Sequence, residues 1–179
     1  MNVTPYKLPG LLLIEPRVFH DQRGQFCETF QAQRYRDIGI AEEFVQDNYS
    51  RSCRGTLRGL HYQLPHPQGK LVWALSGEVY DVVVDLRRSS PTFKQWVGVR
   101  LSEKSLQQLY VPPGFAHGFY VLSGAADVFY KCTDKYYPAG EQTLRWDDPE
   151  LAITWPDPNP LVSQKDSQGS LLSELPYFD

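Results

Sequence analysis

Residues 70–86 read KLVWALSGEVYDVVVDL, two runs rich in β-branched and aromatic residues, Lys70–Ser76 and Glu78–Leu86, that meet at Gly77. Each run has strand length, and the glycine between them marks a turn. The same texture continues outward. Trp96–Leu101, Gln107–Val111, Gly118–Leu122, Asp127–Cys132 and Leu151–Thr154 are further strand candidates, separated by turn residues at short intervals. Gln31–Ile38 predicts the one short helix, ended by Gly39. Residues 156–179 are rich in Pro, Ser and Asp and are expected to wrap the surface. No repeat or linker interrupts the pattern, which predicts one all-β domain over residues 1–179, a sandwich or barrel.

The chain has 179 residues, 41% of them apolar, enough to build one substantial core. Eighteen Lys and Arg against 21 Asp and Glu give a net charge of −3, a balance that argues against a general nucleic-acid binder. No apolar run approaches the ~18 residues that cross a bilayer. The start, MNVTPYKLPG, lacks the pattern of a signal peptide, so a cytoplasmic protein is expected. Cys27, Cys53 and Cys132 cannot all pair within one chain, and buried reduced thiols are expected. A sheet of this size must also manage its edges. Leu11–Ile14 and Gly24–Phe30 are the candidates for exchange across a dimer.

Four histidines are present, at positions 20, 61, 66 and 117. His61 lies in Arg58-Gly59-Leu60-His61-Tyr62-Gln63, where alternation sets His61 and Gln63 on one face with Gly59. Arg58 joins Leu60 on the other unless a bulge intervenes. His117 follows Pro112-Pro113-Gly114, a corner expected to set its side chain at a barrel mouth. The spacing P-x-G-x-x-H resembles the second motif of the cupin superfamily. A metal-binding cupin supplies H-x-H and a Glu from its first motif. Here that position reads His61-Tyr62-Gln63, and the next residues hold Lys70 instead of a Glu. An ammonium opposes a divalent cation and donates where a ligand must accept, so no metal is expected. His66, between two prolines, is the nearest substitute ligand. What remains is a tool set for proton abstraction beside a carbonyl. His61 would be the base, Lys70 would stabilise the oxyanion, and a tyrosine of Phe129-Tyr130-Lys131 would be the acid.

Several ordered strings resemble one family throughout the chain: R-G-L-H-Y-Q at 58–63, Q-G-K-L-V, S-P-T-F, P-P-G-F-A-H-G-F, Y-K-C-T-D, W-D-D-P, I-T-W-P and Lys165-Asp166. Together they resemble the dTDP-4-dehydrorhamnose 3,5-epimerases, from His20 to Phe178. The resemblance implies a cupin-type jelly roll, a double-stranded β-barrel with short peripheral helices. It implies a cofactor-free enzyme acting on a dTDP-4-keto-6-deoxyhexose at C3 and C5. By the same resemblance His61 is the base, Asp166 the carboxylate that orients it, Lys70 the group at the C4 oxygen and Tyr130 the opposed acid. Without it, Asp166 reads as a solvated loop acid.

The resemblance also assigns substrate binding to Arg23, Phe26, Glu28, Gln46, Asn48, Arg58, Lys70, His117, Glu141 and Lys165. Tyr136, or its neighbour Tyr137, is the aromatic expected to stack on thymine. It further implies a homodimer in which the N-terminal segment crosses over, so that Arg23 and Phe26 serve the neighbouring chain. A relative that inverts one carbon would carry the same base, lysine and acid. A metal-dependent cupin is the more distant alternative.

Overall fold

The computed structural model describes residues 1–179, and the strands form two facing antiparallel sheets. In chain order the elements are β1 (Asn2–Pro5), β2 (Leu12–Glu15), β3 (Val18–Asp21), β4 (Gly24–Cys27), α1 (Ala32–Asp37), β5 (Gln46–Cys53) and β6 (Leu57–Gln63). There follow β7 (Lys70–Ser76), β8 (Glu78–Asp85), β9 (Trp96–Ser102), β10 (Gln108–Val111), β11 (Phe115–Val121), β12 (Ala125–Cys132), β13 (Glu141–Thr143) and α2 (Gln164–Ser167). One sheet has the order β1-β2-β10-β7-β12-β5 and the other β13-β6-β11-β8-β9, while β3 and β4 pair only with each other. This is the expected jelly roll, with two short helices at its periphery. No helix is long and apolar enough to cross a membrane.

The valine-rich character of β8 has a direct cause, since both of its faces are covered. Val79 and Val83 point between the sheets, where they meet Val72, Leu109, Phe119 and Val128. Val82 and Val84 point outward and are covered by Leu151, Trp155, Leu172 and Leu175. The C-terminal stretch therefore wraps the surface as expected, joined to the sheet by bridges Thr56–Leu161, Leu144–Ser170 and Arg87–Phe178. The outer face of the other sheet carries Ile14, Leu71, Trp73 and Tyr110, and α1 covers it with Tyr35.

Two expectations are corrected. Leu151–Thr154 is not a strand: Ala152 sits at φ +45°, and Leu151 and Trp155 are apolar because they plug the outer cluster. The cysteines are unpaired, yet only Cys132 is buried; Cys53 is exposed where β5 meets its turn. Within this chain Leu12 and Leu13 pair with β10 and Leu11 and Ile14 are fully buried, whereas the β3–β4 ribbon pairs with neither large sheet.

Candidate active site

Between the sheets, the inward positions change character from one end to the other. At one end they are valine, leucine and phenylalanine. At the other, β5, β6, β7, β11 and β12 turn polar side chains to the same space. β5 contributes Gln46 and Asn48, β7 contributes Lys70, and β12 contributes Tyr130. A lobe of about 250 Å³ is lined by these four, His61, Gln63, Gln68, Tyr136 and Glu141 among others. A second lobe of about 380 Å³ is lined by Arg58, His117, Lys165 and Asp166 among others. His61, Lys70 and Tyr130 border both lobes.

β6 reaches this arrangement through an irregularity. His117 pairs with His61, yet Phe119 pairs with Arg58, so β6 carries one extra residue over that interval. The bulge turns Arg58 to the side of His61, the exception foreseen from the sequence. Gly59 makes it possible. Its φ is +107°, and a Cβ there would lie 2.7 Å from the His117 carbonyl oxygen and 2.8 Å from Gly118 Cα.

His61 Nε2 lies 2.6 Å from Asp166 Oδ1. Asp166 is 3% exposed, which corrects its residue-only reading as a solvated acid. Ser163 caps α2 by accepting from the Asp166 backbone N–H at 3.0 Å, and the Gly59 N–H donates to Oδ2 at 3.4 Å. Burial raises the Asp166 pKa, but the bonds from His61, Ser163 and Gly59 outweigh it and hold the carboxyl below its ordinary range. An ionised carboxylate only accepts, so His61 donates through Nε2, and its neutral tautomer has Nδ1 bare.

Across the cavity, Lys70 Nζ stands 6.0 Å from the Tyr130 ring centroid. Burial pushes the lysine pKa down, against the nearby Cys132, Asp81 and Glu141. Burial, with Cys132 adding to it, pushes the Tyr130 phenol up to about 12, so it stays protonated. At the rim, Lys165 pairs with Glu141 at 2.5 Å, and the Tyr136 hydroxyl donates to Glu141 at 2.7 Å. Burial raises the Glu141 pKa, but those two bonds prevail and hold it below its usual value.

Eleven of the fourteen expected site residues therefore converge: His61, Asp166, Lys70, Tyr130, Gln46, Asn48, Arg58, His117, Tyr136, Glu141 and Lys165. Arg23, Phe26 and Glu28 do not. Arg23 and Phe26 border a separate hollow on the β3–β4 ribbon, and Glu28 pairs with Arg34 at 2.9 Å on the surface. Tyr136 lines the cavity, whereas Tyr137 turns its ring against His66. His117 is not at the corner. The corner turns at Gly114 (φ +103°), and His117 lies inside β11, 6% exposed, with Nε2 2.8 Å from Asp81 Oδ2. No three His, Cys, Asp or Glu side chains cluster, and the two cavity histidines each engage a carboxylate.

Gln63, Gln68, Ser163 and Asp81 were missed. Gln63 shares the face of His61 in an alternating strand, and Asp81 is an acid set inside the apolar run VYDVVV. Both signals were present. Gln68 opens the string Q-G-K-L-V, while Ser163 had no signal beyond loop composition.

A sequence profile described as dTDP-4-dehydrorhamnose 3,5-epimerase matches residues 5–174. A protein of that name from Pseudomonas aeruginosa is 52% identical over 180 aligned residues, covering 99% of both chains. One from Shigella flexneri is 49% identical with the same coverage. Among solved structures, a dTDP-6-deoxy-D-glucose-3,5-epimerase from Legionella pneumophila, in complex with dTDP-4-keto-L-rhamnose, superposes with a TM-score of 0.93. It is 53% identical, over 96% of this chain and 93% of its own.

Proposed function

The chain belongs to the dTDP-4-dehydrorhamnose 3,5-epimerase family, and on that premise we propose that residues 1–179 act as one cytoplasmic catalytic unit on a dTDP-4-keto-6-deoxyhexose. The enzyme inverts C3 and C5 of dTDP-4-dehydro-6-deoxy-D-glucose and gives dTDP-4-dehydro-L-rhamnose. The C4 ketone acidifies the hydrogens on both flanking carbons, so a neutral imidazole suffices as base. His61 takes the proton, and Asp166 fixes its tautomer and stabilises the imidazolium that results. The electron pair moves onto the C4 oxygen as an enolate, where the Lys70 ammonium balances it. Tyr130 returns a proton to the carbon. No electrons leave the substrate, and the step requires no redox cofactor.

The observation that carries this reading is the placement of base and acid on different sheets. His61 is on β6 and Tyr130 on β12, and both border the same cavity. A sugar ring held between them loses a proton from one face and receives one on the other, which is inversion. Gln46, Asn48, Arg58, His117, Glu141 and Lys165 hold the sugar and nucleotide, and Arg58 meets the diphosphate with charge-assisted bonds. Tyr136 offers the stacking surface for thymine.

The protein works as a homodimer. Phe19 and Phe26 are 50% and 69% exposed on a ribbon that joins neither sheet. An exposed aromatic pair beside Arg23 fits a segment that docks against a second copy and completes its nucleotide site.

The test is incubation of dTDP-4-keto-6-deoxyglucose with chelator-treated protein, followed by NMR of the product. Inversion at C3 and C5 is the expected result. Inversion at one carbon makes the protein a single-carbon relative, and an unchanged substrate contradicts the assignment.

A further inference from the structure

We infer that Gln108 is a positioning residue for the partner subunit's site: it holds the base of the β3–β4 ribbon so that Arg23 and Phe26 reach across correctly. The inference rests on the dimer reading above.

Gln108 is 1% exposed, on the outer face of β10, level with Ile14 of β2 and next to an otherwise apolar cluster. Burying a primary amide there costs free energy unless both ends are bonded, and leucine would pack as well. Both ends are bonded. Nε2 donates to the Thr29 carbonyl oxygen at 2.7 Å, and Oε1 accepts from the Tyr35 hydroxyl at 2.5 Å. The same hydroxyl stands 2.9 Å from the Thr29 oxygen, which closes a triangle. The amide thus grips main chain just beyond the end of β4 directly, and through Tyr35 it is tied to α1 as well.

Its neighbours reinforce the grip. Arg34 pairs with Glu28 at 2.9 Å. The Phe30 ring packs 4.9 Å from Tyr35 and 5.4 Å from Phe44, with the Lys131 ammonium 4.9 Å from its centroid. Positions 28, 29 and 30 are therefore each tied to the body. Beyond them β3 and β4 pair only with each other. A fixed base with a free tip is a lever arm. From Thr29 to Gly24 an extended chain spans about 16 Å, so a tilt of about 10° at the base displaces the tip by about 3 Å. That is far outside the tolerance of a binding contact.

Gln108→Leu is expected to raise KM for the dTDP-sugar about tenfold while kcat stays within about twofold. Tyr35→Phe, which leaves the amide–carbonyl bond in place, is expected to raise it by about twofold to threefold, and it serves in the same experiments if Gln108→Leu does not fold. Unchanged KM in both variants overturns the inference. Hybrid dimers separate the role from a general loss of structure. In a dimer of one Gln108→Leu chain and one His61→Asn chain, the live site belongs to the Gln108→Leu chain and is served by the unaltered arm of its partner. KM should return to the wild-type value; a KM that stays raised shows that Gln108 acts on its own chain and refutes the inference. An Arg23→Ala and His61→Asn hybrid is the control. If that one fails to recover, the dimer reading falls and takes the inference with it. If it recovers while the Gln108→Leu hybrid does not, the inference alone falls.

Discussion

His61 Nε2 and Asp166 Oδ1 lie 2.6 Å apart although 105 positions separate them in the chain. The bond is possible because the C-terminal stretch covers the outer face of one sheet and then turns α2 inward beside β6. Ser163 caps that helix and fixes the carboxylate. His61→Ala is expected to lower kcat by about a thousandfold or more and to leave dTDP affinity within about twofold. Asp166→Asn, which keeps the shape but not the charge, should cost roughly 10²–10⁴-fold in kcat. A wild-type rate in either variant, measured by substrate turnover, removes that residue from the proton transfer.

Tyr130→Phe keeps the ring and removes the donated proton. Inversion at C5 should fall by about a hundredfold, while deuterium still washes into C3. NMR of the residual substrate reads both positions. Full inversion at both carbons would make Tyr130 a packing residue.

Lys70 carries a cost that its function explains. Burial lowers its pKa, so the folded state penalises the charged form; that penalty is present at neutral pH and disappears as pH rises above the ordinary 10.5. Lys70→Met should therefore raise Tm by about 2–4 °C at pH 7 while kcat falls about a hundredfold. In the wild type, activity should decline at an alkaline pH below 10.5, and Lys70→Arg should move that decline upward. A decline that stays in place shows that another group titrates there.

Stability at acid pH has a separate source. Asp85 is fully buried at the end of β8 and accepts from the Arg87 backbone and guanidinium and from the Ser90 and Thr92 hydroxyls. Burial raises its pKa, but those bonds prevail and lower it below 3.8. A lowered folded-state value means the stabilisation is complete above the unfolded pKa and is lost as pH falls through the folded one. Asp85→Ala should cost about 3 kcal/mol at pH 7 by denaturant titration. The difference from wild type should shrink below pH 3.8. A constant difference down to pH 2 would contradict the account.

The fold was largely legible because its decisive strands are buried on both faces and read as apolar runs, as β7 and β8 do. β5 escaped that reading. Its sequence, QDNYSRSC, carries no apolar alternation, because Gln46 and Asn48 face the cavity and Tyr49 and Arg51 face solvent. A strand that serves a polar site at the edge of a sheet gives up the pattern by which strands are recognised. Leu151–Thr154 failed in the opposite way, being apolar for packing rather than for pairing. Within the site, His61 and Lys70 were readable from their surroundings, since each is an unusual residue in a strand. Asp166 was not, because nothing local marks a loop carboxylate that the fold buries. Only the family resemblance reached it. The string S-P-T-F turned out to be structural: its Ser90 and Thr92 hold Asp85.

The central claim, a proton removed and returned at both carbons beside the ketone, is tested most directly by running the reaction in D2O and following the sugar protons by NMR. The account predicts deuterium at C3 and at C5 of the product, with no label in the His61→Ala reaction. Loss of the substrate signals without deuterium at either carbon, or labelling that persists without His61, would contradict it.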